Sequence, residues 1–207
     1  RYRMIVKRKH LISKKKIARK TPFFVRMPNW LGDVIMAIPV LQAVRAGRPD
    51  VKFTLVCKSQ FIPLLKKFSL GEEFISLPEH SILYFYKFKK LLVSKPENYL
   101  LFTNSLRGDL EAFLSGSKQR FGMEKHGRRR PLLSHSFNPH LMDGIDVGDL
   151  HQTELLEKMA NFFGLREKIS RDPLYLPKNK RMLYKIGMVP GSSNSPEKRW
   201  PVGNWVS

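Results

Sequence analysis

Short apolar runs and longer segments of mixed polarity alternate along the chain from residue 23 to residue 122. The short runs, which predict buried strands, cover 23–27, 52–57, 74–77, 99–103 and 120–122. Between them, apolar residues recur at helical spacing, which predicts helices over 32–46, 60–68, 81–93 and 106–114. This alternation indicates an α/β fold with a mostly parallel, doubly wound sheet, in which 120–122 forms an edge strand.

The pattern changes after the last of these strands. Residues 125–149 contain a basic loop and a stretch with Gly, Asp and His, and an amphipathic helix is then predicted over 153–163. Asp172-Pro173 and Pro177 mark a linker. Residues 181–189 are then predicted to form a new strand. The predicted organisation is a basic arm (1–21), a Rossmann-like domain (22–170), a linker (171–180) and the start of a second domain (181–207).

The loop after the first predicted strand contains Pro, Asn and Gly, and Asp33 follows in the first turn of a helix. Ligands of open α/β sheets bind outside the carboxyl ends of the strands, so an acid there is well placed for chemistry. The alternative is that the helix macrodipole merely favours an acid at this place, by about 0.3–1 kcal/mol. Pro39 leaves a second choice, because either the helix bends at this residue or it begins near Ile38.

The charge of the chain is strongly positive, with 38 Lys and Arg residues against 17 Asp and Glu. Ten of these bases lie in the first twenty residues, which contain no acid. Such a field attracts phosphate-rich partners, namely nucleic acid, an anionic membrane or a phosphorylated substrate. A nucleic-acid-binding module is therefore one alternative, although the arm's single aromatic residue, Tyr2, gives it little stacking capacity.

The single cysteine, Cys57, forms no internal disulfide and is predicted to be a small buried hydrophobe. No apolar stretch approaches the roughly 20 residues that span a bilayer, and no secretory signal is evident. These features predict a cytoplasmic protein, and the basic arm adds the expectation that it lies peripherally on the inner membrane. The tail of an upstream domain is the other interpretation of the arm.

Three segments carry a family resemblance. They are Met27-Pro28-Asn29-Trp30-Leu31-Gly32-Asp33, Leu101-Phe102-Thr103-Asn104-Ser105-Leu106-Arg107, and Val189-Pro190-Gly191 followed by Lys198-Arg199-Trp200-Pro201. In order and approximate spacing they resemble the motifs of the ADP-heptose:lipopolysaccharide heptosyltransferases of glycosyltransferase family 9, closest to the heptosyltransferase II type. The resemblance implies a GT-B fold, with one complete Rossmann-like N-terminal domain and the start of a second.

The resemblance also implies an inverting transfer of heptose from ADP-heptose to the lipopolysaccharide inner core, or lipid A-Kdo, without a cofactor or metal. Such a reaction needs a base that removes the proton of the acceptor hydroxyl. It also needs positive charge or amide N–H groups that stabilise the departing diphosphate. Asp33 matches the catalytic aspartate of the family. Lys198 matches its donor-phosphate lysine, and Ser192 and Ser193 supply hydroxyl groups beside it. Judged without the family, Lys198 is an ordinary surface lysine.

The predicted acceptor-binding residues are Asn29, Gly32, Asn104, Arg128, Arg129 and Arg130. Gly32 lets the loop backbone approach a ligand, and the three arginines suit phosphate and carboxylate groups. A solvated basic turn is the alternative for the arginines, and a helix N-cap is the preferred role of Ser105. Trp30 either lines the acceptor site or packs into the core.

The chain ends before a later Asp-Ser-Gly-type motif with which the family grips the donor diphosphate. We therefore expect it to be truncated and, as a fragment, to bind acceptor weakly and turn over little donor. A non-catalytic remnant that keeps only the acceptor-side fold is the remaining alternative.

Overall fold

The structure is a computed structural model that describes residues 21–124, 129–141, 148, 150–165, 169–170, 196–199 and 201–204. The chain divides into two compact units, Arg1–Pro173 and Leu174–Ser207. In the second unit the described residues form two short 3-10 helices, Pro196–Lys198 and Val202–Asn204. The predicted strand over 181–189 and the predicted linker lie outside the described residues. All that follows concerns the first unit unless the second is named.

A parallel sheet of six strands organises the described part of the first unit. The strands are β1 (Phe23–Arg26), β2 (Phe53–Cys57), β3 (Glu73–Ser76), β4 (Asn98–Leu101), β5 (Gln119–Met123) and β6 (His135–Phe137). Their order across the sheet is β3-β2-β1-β4-β5-β6, and every neighbouring pair is parallel. This is the order of a Rossmann-type sheet, in which the winding reverses between β1 and β4. The predicted α/β, Rossmann-like fold is confirmed.

Four helices connect β1 to β5 in chain order, namely α1 (Leu31–Gly47), α2 (Ile62–Lys67), α3 (Tyr84–Leu91) and α4 (Leu106–Leu114). A fifth helix, α5 (Gln152–Phe162), follows β6, and short 3-10 turns lie at Ser59–Phe61 and Pro139–Leu141. Every residue of β1, β2 and β4 is buried. Parallel strands covered on both faces give nearly continuous apolar runs, which is why the sequence pattern predicted these three strands correctly.

The first helix runs unbroken from Leu31 to Gly47 with Pro39 inside it. A start near Ile38 is therefore wrong. Proline costs the helix interior one backbone hydrogen bond, but eight residues of α1 are buried against the rest of the domain. Their burial offsets this loss, and the helix stays continuous through the proline. The first turn of the helix therefore lies close to the carboxyl end of β1.

The prediction that 120–122 forms an edge strand is wrong. Phe121 pairs with His135, and Met123 pairs with Phe137, so β6 lies outside β5. The aromatic ring of Phe121 stacks on the His135 imidazole, with 4.7 Å between ring centroids. Because β6 has only three residues and only its last one is buried, its sequence lacks the apolar run by which the other strands were predicted.

A labelling experiment tests the state of Cys57, the last residue of β2. The side chain is fully buried, as predicted, and burial raises the pKa of its thiol to about 11, partly offset by the nearby Arg26 charge. Because the thiolate is the reactive form, we expect the folded protein to resist alkylation near pH 8 and the urea-unfolded protein to react readily. Equal labelling rates in the two states would contradict this account.

No helix among the described residues is long and apolar enough to cross a membrane.

Candidate active site

A cavity of about 590 Å³ lies at the carboxyl ends of β1, β4, β5 and β6. Its lining residues are Pro28, Asn29, Trp30, Asp33, Phe102, Thr103, Asn104, Ser105, Met123, Glu124, Pro139, His140, Gly148, Gln152 and Leu155. It therefore includes the point between β1 and β4 where the sheet winding reverses, the usual ligand position in such folds. Two of the three predicted motif segments meet here, although about seventy residues separate them in the chain.

The first side of the cavity is built by the loop after β1 and the first turn of α1. Asp33 is half-buried there, and Asn29 and Trp30 lie beside it. The indole of Trp30 is 62% exposed, so this residue lines the site and is not part of the core. The Lys58 ammonium lies 5.6 Å from the centre of its ring. Trp30, the N-cap residue of α1, forms no side-chain capping hydrogen bond within the described part of the chain, so N–H groups of the first turn can donate to a ligand or water.

Gly32 occupies the same first turn as Asp33. Apart from its chain neighbours and its own helix backbone, a Cβ at this position would meet no atom of the described residues within 4 Å. The fold itself therefore does not require glycine here. The predicted contact of Gly32 with a ligand stays a prediction.

A buried ion pair lies beneath the first loop. Arg26 donates from Nε to Glu111 Oε2 at 2.6 Å, and the Tyr84 hydroxyl donates to Glu111 Oε1 at 2.6 Å. Arg26 also donates to the Met27 carbonyl at 2.5 Å and to Asn29 Oδ1 at 3.0 Å. Burial, followed by the hydrogen bond to the Glu111 carboxylate, raises the pKa of Tyr84 well above its usual range. Tyr84 therefore stays a hydrogen-bond donor at every physiological pH.

A second buried ion pair supports the other side. Arg130 donates from Nε to both Asp109 oxygens at 3.1 Å, and its Nη2 also contacts Asp109. Its Nη1 donates to the Met123 carbonyl at 2.7 Å and to Asn104 Oδ1 at 3.1 Å. Every nitrogen of Arg130 thus has a protein partner, and only 8% of its side chain is exposed. The structure therefore gives Arg130 a role that the sequence did not predict, which is to hold Asn104. Its contact with an acceptor stays a prediction.

The two networks follow one plan. Helix α4 supplies both acids, each acid binds one arginine, and each arginine donates to the side-chain oxygen of an asparagine in the cavity wall. A guanidinium has no acceptor, so it fixes which end of the asparagine amide it contacts. The Nδ2 groups of Asn29 and Asn104 are thereby left as donors for a ligand.

Two further polar residues of the cavity were missed by the sequence interpretation. Glu124 directly follows β5, and its oxygens accept from Ser136 Oγ at 2.8 Å and Asn138 Nδ2 at 3.0 Å. A broader form of the pattern that singled out Asp33, an acid at the carboxyl end of any predicted strand, would also have found Glu124. His140 lies in the 3-10 turn after β6, and no local signal pointed to it because β6 itself was not predicted.

The other predicted residues are distributed as follows. Ser105 caps α4, and its Oγ accepts from the Gly108 N–H at 3.2 Å, as expected. Arg129 is exposed. Lys198 is exposed in the second unit. Arg128, Ser192 and Ser193 lie outside the described residues.

Within the described part of the chain, no group of three or more His, Cys, Asp or Glu residues is placed to hold a metal ion.

Solved structures share this fold. The glycosyl transferase family 9 from Veillonella parvula DSM 2008 matches with a TM-score of 0.58 and 16% identity, over 70% of this chain and 41% of its own. E. coli heptosyltransferase WaaC with ADP-2-deoxy-2-fluoro heptose matches with a TM-score of 0.55 and 15% identity, over 73% of this chain and 50% of its own. E. coli ADP-heptose lps heptosyltransferase II is 21% identical over 49% of this chain and 30% of its own, with a lower TM-score of 0.42.

At these identities the likeness shows the fold, which is that of family 9 glycosyltransferases of the GT-B type. No protein-family model matches the sequence, and the comparison with curated proteins finds no match. The chain spans half or less of the length of the solved structures it resembles.

Proposed function

We propose that this chain carries the acceptor-binding domain of an inverting heptosyltransferase, which transfers heptose from ADP-heptose to the inner core of lipopolysaccharide. One observation carries the proposal. Asp33, which matches the catalytic aspartate of the family, lies in the wall of the cavity at the reversal point of the sheet. The shared fold supports the same assignment.

In the proposed reaction Asp33 removes the proton from an acceptor hydroxyl as that oxygen attacks the anomeric carbon of the heptose. The bond from this carbon to the phosphate oxygen breaks, and ADP departs with the electron pair. Because the attack comes from the face opposite to the leaving group, the anomeric configuration inverts. The carboxylate serves as a general base, an effect that typically contributes about 10²–10⁴-fold to the rate.

The acceptor is held, in this proposal, by the oriented amides. Asn29 and Asn104 donate from Nδ2 to its hydroxyl, phosphate or carboxylate oxygens, and the exposed Arg129 pairs with its outer charges together with Arg128. Arg130 acts through Asn104. The open space at Gly32 admits the sugar close to the backbone of α1.

The donor is assigned to the second unit. Lys198, with Ser192 and Ser193, is proposed to bind the diphosphate and to stabilise its growing charge. The E. coli heptosyltransferase WaaC was crystallised with ADP and with ADP-2-deoxy-2-fluoro heptose, which supports a nucleotide sugar as the donor. The reaction would take place on the cytoplasmic side of the inner membrane.

Acceptor binding by the 207-residue chain tests this assignment without any donor. We expect a heptose-deficient core oligosaccharide, titrated by calorimetry, to bind weakly and to lose about tenfold in affinity with Gly32→Ala, which corresponds to about 1.4 kcal/mol. The new methyl group would fill the space that the ligand needs, whereas it meets no described residue beyond its chain neighbours and its own helix backbone.

Gly203→Ala is the matched control, because a Cβ at Gly203 also meets no described residue within 4 Å beyond its own surroundings in the chain. Thermal unfolding of both variants should equal or exceed that of the wild type, since alanine favours helix more than glycine does. Absence of acceptor binding, or equal affinity of the Gly32 variant and the wild type, would contradict the assignment of the cavity.

A further inference from the structure

An exposed apolar surface covers the outer side of α3 and the residues next to it. We call it the α3 surface and define it as the exposed side chains between residues 82 and 95. Ile82 and Val93 are almost completely exposed, at 101% and 98%, and Tyr86 is 58% exposed. Leu83 and Leu91 are 54% and 44% exposed. Single exposed hydrophobic residues are common, but five within twelve positions, on and beside one short helix, concentrate apolar surface in the way that marks an interaction site.

Lysines are interspersed with these apolar groups. Lys87, Lys89, Lys90 and Lys95 are exposed, and the sequence contains no acid between Glu79 and Glu97. None of the four forms a salt bridge with a residue that the structure describes. The Lys90 ammonium lies 4.6 Å from the centre of the Tyr86 ring. The α3 surface is therefore both apolar and positively charged.

The core does not need these side chains. The inner face of α3 is fixed by Tyr84 and Phe88, which are 6% and 0% exposed. Phe88 packs in a cluster with Phe24 and Tyr99 of the central strands. Since these buried residues hold the helix, the exposed ones can change without loss of the fold.

We propose that the α3 surface docks the protein onto an anionic lipid bilayer. Aliphatic side chains enter the interfacial region, a tyrosine ring lies at its boundary, and lysines pair with lipid phosphates while their alkyl stems remain near the hydrocarbon. A nucleic acid fits this surface less well. It would leave the fully exposed Ile82 and Val93 in water, and the surface has no arginine for phosphate or base contacts.

The position of this surface suits a lipid-linked acceptor, a point that rests on the proposed function. Residues 77–83 follow the carboxyl end of β3. They therefore lie at the same end of the sheet as the cavity, which is formed at the carboxyl ends of the strands. Arg107, in the first turn of α4, lies with its guanidinium 5.0 Å from the centre of the Tyr84 ring. The start of α3 therefore adjoins the α4 side of the cavity, and a docked protein would hold the cavity rim close to the bilayer.

Co-sedimentation with vesicles tests the docking. The full chain is mixed with vesicles of phosphatidylcholine alone or with an equal mixture of phosphatidylcholine and phosphatidylglycerol, and we expect binding to the second kind. A lysine near an anionic surface contributes about fivefold in partition, so Lys89→Gln with Lys90→Gln should lower the partition coefficient about 25-fold. All variants keep the basic arm, whose contribution multiplies both values equally.

Lys66→Gln with Lys67→Gln is the matched control, because these adjacent exposed lysines occupy the last turn of α2 as Lys89 and Lys90 occupy that of α3. It should retain wild-type binding within a fewfold. High salt screens the charges of the lysines. Under this condition, Ile82→Ser with Val93→Ser should still lower the partition coefficient about tenfold.

Equal losses in the two lysine variants, or unchanged partition of the Ile82 and Val93 variant, would overturn the proposal. So would a loss of RNA binding on Lys89→Gln with Lys90→Gln while vesicle binding stays intact. Because no donor or acceptor is present, these results are independent of whether the protein transfers heptose.

Discussion

Replacement of Asp33 by asparagine is expected to lower the kcat of heptose transfer by about 10²–10⁴-fold, the usual contribution of a general base. The asparagine amide keeps the size of the side chain but cannot accept the proton of the acceptor hydroxyl. The KM for acceptor should change little, because Asn29 and Asn104 still donate to it. The assay measures ADP release from ADP-heptose, with the protein extended through its native downstream frame.

Glu124→Gln is the control for this experiment, since Glu124 is the other acid among the described residues that line the same cavity. Both of its oxygens already accept hydrogen bonds, from Ser136 and Asn138, so we expect its kcat to stay within about tenfold of the wild type. If Glu124→Gln abolished transfer and Asp33→Asn did not, the base would be Glu124 and the assignment of Asp33 would be wrong.

Replacement of Glu111 by glutamine is expected to lower the free energy of unfolding by about 3–5 kcal/mol, as removal of one partner from a buried ion pair usually does. Glu111 is 0% exposed and receives two donors, Arg26 Nε and the Tyr84 hydroxyl. A glutamine offers one acceptor and one donor group, so one of these contacts is lost and the Arg26 charge stays uncompensated. Urea unfolding followed by circular dichroism measures the change.

Two further variants serve as comparisons, one in a more exposed ion pair and one at the buried pair itself. Glu97 forms a more exposed ion pair with Lys118. Glu97→Gln should therefore lower the free energy of unfolding by less than about 1 kcal/mol. Arg26→Met combined with Glu111→Leu removes both buried charges and should regain much of the stability. Acceptor affinity should nevertheless be lower in this double variant than in the wild type, because Asn29 has lost the arginine that orients it. Recovery of wild-type affinity would show that Arg26 has no positioning role.

The sequence was sufficient to predict the central strands and the ends at which the site forms. Strands β1, β2 and β4 are buried on both faces, so their apolar runs are unmistakable. Asp33 was singled out as the acid that follows the first strand and its loop, whereas Asn104 was predicted only from the family resemblance. Strand β6 was missed because its three residues carry no such run.

The support of the site was not predictable from local patterns. Arg26 and Glu111 are 85 positions apart, and Arg130 and Asp109 are 21 apart, so no helical or strand periodicity relates them. One clue was available in the sequence. Arg26 interrupts an apolar run that a central strand would bury, and a buried charge requires a partner. The identity of that partner emerges only when the strand order places α4 beside β1.

The mass of the acceptor after incubation with the extended protein and ADP-heptose is the most direct test of the central claim. The account predicts that a heptose-deficient core acceptor gains one heptose in the wild type and that this gain is lost with Asp33→Asn. An acceptor that stays unchanged with ADP-heptose, or that gains a sugar from a different nucleotide donor instead, would contradict the assignment of this cavity to heptose transfer.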